Sequence, residues 1–317
     1  MVSLRLLLSS MGLEMALDAI DLKGQPLDLD LTLACGQAFR WRKREDGTWH
    51  GVVRDRLVEL RVEDGMLYWR TYPDGGRALV EDYLRLSDDV NSINRELSER
   101  DPHLASLVKR FHGLRLLRQD PAETLLSFVC SAANSIPRIC RAIEELARLY
   151  GEMVCEKDNL CYYAFPQPER LAGLVPRTLN GHGSLGFRGE NLRNAARQIV
   201  ERGEGWLMGL RNVTYAEARA ELLSIRGVGA KIADCVCLFA LDKDEAVPVD
   251  THVRQLAHRL FLPDMEAKSI TDGVYRRIVE AFRERYAELA GWAQQYLFYE
   301  DLLRSRAQAY KNRPQRY

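Results

Sequence analysis

The hydrophobic period of this chain changes once, near residue 77, and that change confines it to an α+β architecture with an N-terminal antiparallel sheet followed by a helical body. Residues 27–33, LDLDLTL, alternate apolar and polar side chains and predict a half-buried strand. QAFRWRKRE, a turn at Asp46-Gly47, and TWHGVV predict the next two strands. RLVELRV and MLYWRTY flank Glu63-Asp64-Gly65 and predict a hairpin, because Asp-Gly supplies the positive backbone dihedrals of a tight turn. After residue 77 the spacing is helical. Asp120-Pro121-Ala122-Glu123 is a helix start, with a capping Asp, Pro at the first helical position and Glu at the positive end of the dipole. Thr214-Tyr215-Ala216-Glu217 has the form of a capping box. Helices are predicted over 79–99, 102–111, 121–133, 136–150, 190–203, 215–224, 229–241, 251–261, 270–285 and 288–306. This divides the chain into an N-terminal extension (1–24), an antiparallel β domain with flanking helices (25–115), a helical domain (116–306) and a basic tail (307–317).

Composition excludes several function classes. The 317 residues allow about two domains. The 45 basic and 45 acidic residues cancel, which excludes a uniformly basic chain but leaves room for a local basic patch. No apolar run approaches the ~18 residues of a membrane helix, so no membrane partner is expected. The stretch LLLSSMGL after Arg5 is too short and polar for the core of a signal peptide. Seven cysteines, an odd number spread thinly, are expected to be reduced thiols in an intracellular protein. The six histidines form no pair with ligand spacing, and Cys235 and Cys237 are too close for the usual zinc or redox pair, so no metal is expected. GHGSLG (181–186) matches a dinucleotide-binding glycine pattern in form only. LVPRTLN before it is no strand, so it reads as a plain glycine loop.

The chemistry concentrates in residues 222–252, LLSIRGVGAKIADCVCLFALDKDEAVPVDTH. An apolar helix runs into Gly227-Val228-Gly229, and a second helix starts near Ala230. Two glycines permit a tight helix–turn–helix connection with little bulk. The first backbone N–H groups of the second helix are unpaired and carry the positive dipole end, so a phosphate can approach the bare backbone. An ordinary helical hairpin turn would use the same glycines. Lys231 sits where the dipole disfavours a cation, and Cys235 lies one turn further on the same face. Asp250 is placed to cap a third helix, THVRQLAHRLF, and His252 stands in that helix's first turn. At this level Asp250 reads as a cap as readily as a catalytic group, and His252 as a solvated histidine.

Gly227-Val228-Gly229-Ala230-Lys231, followed at 17–19 residues from the lysine by Pro248-Val249-Asp250, resembles the helix–hairpin–helix glycosylase superfamily. The chain is similar to one branch of it, the 8-oxoguanine DNA glycosylases. The other matching motifs are Gly36-Gln37-Ala38-Phe39-Arg40-Trp41, Leu116-Leu117-Arg118-Gln119-Asp120-Pro121, Leu185-Gly186-Phe187-Arg188 and Gly291-Trp292-Ala293-Gln294. They occur in the family's order and span about residues 25 to 306.

The resemblance implies a base-flipping repair enzyme that binds double-stranded DNA containing 8-oxoguanine, acts as a monomer and needs no cofactor. It would work in the cytoplasm and nucleoid of a prokaryote or the nucleus of a eukaryote. Lys231 matches the lysine that attacks C1′ and forms a Schiff base, after which β-elimination nicks the strand. Asp250 matches the aspartate that stabilises positive charge on the sugar. Gly36 matches the residue whose carbonyl accepts N7–H of the lesion. Phe298 matches the ring stacked on the extruded base, and Gln294 the reader of its Watson–Crick edge. Cys235 matches the opposite wall, where a Lys231–Cys235 charge pair would align with the lesion dipole. Without the resemblance, Phe298 and Cys235 read as core residues. Gly227, Gly229 and His252 match phosphate contacts. Phe187 and Arg188 match the intercalating aromatic and the arginine for the orphaned cytosine, the family more often having Tyr at the first. Arg138 matches a second arginine there. One departure stands out: where many members have three asparagines before Ile-x-Arg, this chain has Ala133-Asn134-Ser135 before Ile136 and Arg138. The resemblance thus implies the loss of one reader of the opposite base, with Asn134 the remaining amide.

Other functions are distinguishable. A bare DNA-binding hairpin module needs neither Lys231 nor Asp250. An alkylbase glycosylase typically lacks the lysine, and an endonuclease III-like or adenine-specific enzyme typically carries a C-terminal cysteine cluster that is absent from this sequence. A helical protein–protein scaffold would not bind DNA.

Overall fold

The computed structural model describes residues 17–132, 134–175, 179, 185, 186, 188–203, 205–265 and 269–311, with side chains through 306. Phe187 and Ala133, most of the 181–186 glycine loop, residues 1–16 and the end of the basic tail lie outside the described residues.

An antiparallel five-stranded sheet comes first: β1 (Asp18–Asp21), β2 (Trp41–Lys43), β3 (Trp49–Val53), β4 (Arg56–Glu63) and β5 (Met66–Tyr72), in the spatial order β1-β5-β4-β3-β2. The β4–β5 turn holds Asp64 and Gly65 at φ 50° and 76°, the geometry expected of a two-residue hairpin. Trp41, Trp49, Leu60, Leu67 and Trp69 fill the buried face of the sheet.

The segment 27–33 is not a strand. Leu29–Ala34 form a helix, α1, because Asp28 accepts the Leu31 N–H at 3.0 Å as an N-cap and Leu29, Thr32 and Leu33 share a buried face. Its alternating leucines satisfy either period. The helix turns Asp30 out to meet Lys43 at 2.7 Å and the Trp49 indole at 2.8 Å. Conversely, β1 lies within the stretch expected to be an extension. Its sequence DAID, with one buried residue, carries too little pattern to be seen in isolation.

The helical body is built from α2 (Arg77–Tyr83), α3 (Val90–Arg100), α4 (Pro102–Arg110), α5 (Pro121–Val129), α6 (Ile136–Tyr150), α7 (Pro168–Ala172), α8 (Arg188–Arg202), α9 (Trp206–Gly209), α10 (Tyr215–Leu223), α11 (Ala230–Ala240), α12 (Thr251–Leu260), α13 (Asp272–Tyr286) and α14 (Ala290–Lys311). The helix expected over 79–99 is two, α2 and α3, broken where Arg85 takes φ 50° and restarted where Asp89 caps Ser92 at 3.0 Å. Asp120 and Thr214 cap α5 and α10 as the sequence predicts, the latter in a full capping box. A second hairpin, β6 (Met153–Lys157) with β7 (Leu160–Tyr163), was not anticipated. Its turn uses Asp158 and Asn159 at φ 50° and 58° in place of glycine. It fastens the body to the sheet through a Lys157–Glu59 ion pair and an Arg44–Tyr162 hydrogen bond of 2.8 Å.

Two further ties fix how the sheet domain meets the body. The buried Gln37 amide donates to the carbonyls of Thr32 and Arg115 at 2.9 and 2.8 Å, and its oxygen accepts from Leu117 N at 2.9 Å. Arg85 makes a two-pronged pair with Asp244 at 2.8 and 2.9 Å, and the Trp292 indole donates to the same carboxylate at 3.0 Å. Buried polar groups with several partners each favour one geometry, since a shift would strand a donor in a dry interior. No helix among the described residues is long and apolar enough to cross a membrane.

Candidate active site

Gly227 and Gly229 join α10 to α11 by different physics. Gly227 takes φ 94°, and a Cβ there would stand 2.9 Å from the Asn191 side chain. Gly229 has ordinary extended backbone, and nothing lies within 4 Å of where its Cβ would be. Its lack of a side chain therefore leaves the start of α11 uncovered. Among the described residues no side chain caps that helix, so its first N–H groups are left without a capping partner at the positive dipole end.

One residue into α11, Lys231 points into a cleft of about 950 Å³ whose walls include Gly36, Phe128, Ser131, Asp250, His252 and Phe298. The Lys231 ammonium sits 4.7 Å from the centroid of the Phe128 ring and 3.3 Å from the Ser131 hydroxyl. The ring is held edge-on by Phe39 at 5.2 Å and stacked on Phe239 at 5.8 Å, so the lysine rests on a fixed platform. Neither Phe128 nor Ser131 was singled out from sequence, because their part in the site arises only when α5 packs against α11.

Asp250 enters the same cleft from the loop before α12. Its Oδ1 accepts the Val253 N–H at 2.9 Å, which makes it the N-cap of that helix. The cap orients the carboxylate, so the two sequence readings describe one geometry. Two residues on, His252 Nδ1 meets Asp301 at 3.0 Å, and Arg259 reaches the other oxygen of Asp301 at 3.2 Å. The imidazole is thereby anchored by one nitrogen and presents the other.

Across the cleft, Gly36 takes φ 91°, and a Cβ would lie 3.4 Å from Ile136 Cδ1 and 3.6 Å from Phe298 Cε1. Space is limited and the backbone favours glycine. The Gln37 clamp described above fixes this backbone. Phe298 stands perpendicular to His252 with ring centroids 6.0 Å apart. Asn134 and Arg306 complete the rim.

Other expected site residues are placed differently. Cys235 is 2% exposed and lies outside the cleft walls. Burial pushes its thiol up to about 12, against a smaller downward pull from Lys231. Gln294 is also buried behind the walls, and its side-chain oxygen has no hydrogen-bond partner among the described residues. Arg138 is exposed on the first turn of α6, outside the cleft. Arg188 donates to the carbonyls of Ala132 and Leu185 and so ties its own loop to the one preceding α6. The Asn134 amide folds back onto Cys130 O at 3.3 Å, and its oxygen accepts from Ser135 N at 3.1 Å.

Comparison with known proteins agrees with this geometry. Residues 126–286 match the family described as HhH-GPD superfamily base excision DNA repair protein. Residues 19–125 match the N-terminal domain of 8-oxoguanine DNA glycosylase. The chain is 34% identical to N-glycosylase/DNA lyase OGG1 of Arabidopsis thaliana over 285 residues, covering 87% of this chain and 78% of that protein. A structure of MBOgg1 in complex with a low-affinity DNA ligand superposes with a TM-score of 0.80 at 34% identity, over 89% of this chain and 94% of that one. The Clostridium acetobutylicum 8-oxoguanine glycosylase/lyase, in complex with double-stranded DNA containing cytosine opposite 8-oxoguanine, gives a TM-score of 0.79 at 32% identity, over 88% and 93%. The chain belongs to the 8-oxoguanine DNA glycosylase family of N-glycosylase/DNA lyases, within the helix–hairpin–helix base excision repair superfamily.

Proposed function

We propose that this protein flips 8-oxoguanine out of duplex DNA, expels it by attack of Lys231 on C1′, and nicks the resulting abasic site by β-elimination. The observation that carries this reading is the meeting of Lys231 and Asp250 in one cleft whose far side is a backbone held at Gly36. Attack forms the Nζ–C1′ bond as the C1′–N9 bond breaks, and the base leaves with the bonding pair. Only the neutral amine is nucleophilic. The Phe128 ring and the Ser131 hydroxyl hold Nζ in the cleft. Asp250 faces the positive charge that develops on the sugar, and its cap keeps it from turning away. The adduct loses an Nζ proton and its C1′–O4′ bond breaks to give an imine, which acidifies C2′–H, and elimination then breaks the C3′–O bond. The open N-terminus of α11 supplies backbone donors for a phosphate without any lysine, which reconciles DNA binding with a net charge of zero. Gly36 O accepts N7–H, a proton that ordinary guanine lacks, and Phe298 supplies the stacking face. The reading is tested by incubating the protein with duplexes carrying 8-oxoguanine or guanine at one position. Base release and a nick are expected only in the first.

Gly36→Ala should lower the excision rate for 8-oxoguanine by roughly 10–100-fold, the cost of about 1–3 kcal/mol for a misplaced hydrogen bond. Cleavage of a preformed abasic site should change little. Equal losses on both substrates would place Gly36 outside base recognition.

We assign the reading of the opposite strand to Arg138 and Arg188, although Arg188, like Asn134, also bonds to backbone of the neighbouring loops. Cytosine accepts from these cations and adenine's amino group does not. One good base contact is worth about 1–3 kcal/mol of discrimination. Single-turnover excision opposite C, T, G and A should show a cytosine preference shallower than in three-asparagine relatives, and Arg188→Ala should flatten it further. A steep preference lost in Asn134→Ala would instead assign the reading to that amide.

A further inference from the structure

Asp234 is an acid in the middle of a helix, AKIADCVCLFA, that is apolar apart from Lys231, and it is fully buried. Three donors converge on it. Tyr215 OH on α10 and Arg219 Nε reach Oδ1 at 2.6 and 2.8 Å, and Tyr275 OH on α13 reaches Oδ2 at 2.5 Å. The Tyr275 hydroxyl also accepts the backbone N–H of Val249 at 3.2 Å. Val249 immediately precedes Asp250, and Asp234 lies three residues after Lys231 on the same face of α11. A continuous path of hydrogen bonds therefore runs from the helix that carries the lysine, through one phenol, to the loop that carries the aspartate. Tyr275 is itself 5% exposed and stands in the wall of the cleft.

We infer that Tyr275, held by Asp234, is a positioning residue that sets the separation of Lys231 and Asp250. Its phenol is the direct side-chain bridge between the two elements. The other tyrosine of the cluster ties α10 to α11 and, among the described residues, has no hydrogen bond to the Asp250 loop. That difference separates a positioning role from a merely supporting one. Burial and the Asp234 carboxylate both hold the Tyr275 proton in place, so the phenol donates to the carboxylate and accepts from Val249 without changing state. The inference rests on the roles proposed above for Lys231 and Asp250, since it concerns their relative placement.

The test compares Tyr275→Phe with Tyr215→Phe. Each removes one hydroxyl from the same carboxylate, and only the first frees the Asp250 loop. Misplacement of reacting groups by about 1 Å costs up to ~10²-fold in rate. Tyr275→Phe should slow single-turnover release of 8-oxoguanine by roughly 10–100-fold. Its affinity for a duplex carrying a tetrahydrofuran abasic analogue should stay within about twofold, because the phosphate contacts are elsewhere. Tyr215→Phe should retain its excision rate even if its melting temperature falls. In an Asp250→Asn background, Tyr275→Phe should add almost nothing, because the group it positions is already lost. If Tyr275→Phe yields no folded protein, Val249→Pro removes the same hydrogen bond from the loop side and leaves Asp234 and both tyrosines in place, with the same loss of rate expected. Equal rate losses in Tyr275→Phe and Tyr215→Phe would overturn the inference, as would rate losses that multiply in the double variant. A wild-type protein that neither excises nor forms a covalent adduct would overturn the underlying reading. A wild-type protein that does both, with an unimpaired Tyr275→Phe, would overturn the positioning role alone.

Discussion

Lys231→Gln should abolish strand nicking and leave no covalent adduct after borohydride, while the variant should still bind lesion-containing duplex. Glutamine keeps most of the length of lysine and fits the space over Phe128, but its amide cannot attack a sugar carbon. The phosphate donors at the start of α11 are backbone groups and do not depend on that side chain. The expected split is a complete loss of chemistry with a dissociation constant within a few-fold of wild type, read by gel shift and by product analysis on the same duplex. Full nicking by this variant would remove Lys231 from the reaction.

Asp250→Asn should slow base release by about 10²–10⁴-fold, the range for a positioned acid–base or charge-stabilising group. Asparagine is itself a good N-cap, so α12 should persist and the melting temperature should change little. That separates the two roles of this residue. An unchanged single-turnover rate would reduce Asp250 to a cap. A lost fold with a normal residual rate per folded molecule would mean the same.

The signals that were local in sequence survived folding. The glycine turn before Lys231, the caps at Asp120 and Thr214, and the Asp64-Gly65 hairpin each depend on a few adjacent residues, and each forms as read. Signals that depend on tertiary contact did not show. LDLDLTL satisfies two periods, and what selects the helix is the Asp28 cap together with Lys43 and Trp49 reaching Asp30. The β6–β7 hairpin hides because its turn is Asp158-Asn159, not a glycine pair. In the site, Gly36, Lys231, Asp250, His252 and Phe298 meet in one cleft, although almost two hundred residues separate the first from the second. Nothing in the spacing alone requires this, and it was the motif resemblance that linked them. The platform of Phe128 and Ser131 and the clamp at Gln37 were invisible for a different reason: each is an ordinary residue whose role comes from its neighbours. Asp234 did leave a trace, as a charge in an apolar helix, which is costly unless bonded and so points to partners elsewhere in the chain.

The amine that bonds to the sugar decides the chemistry of this site. The direct measurement is borohydride reduction of the wild-type protein on a duplex with a single 8-oxoguanine, followed by proteolysis and mass mapping of the cross-linked peptide. The adduct is expected on Lys231, in the peptide that follows the Gly227-Val228-Gly229 turn. An adduct on any other amine, or base release with no adduct at all, would contradict this chemistry.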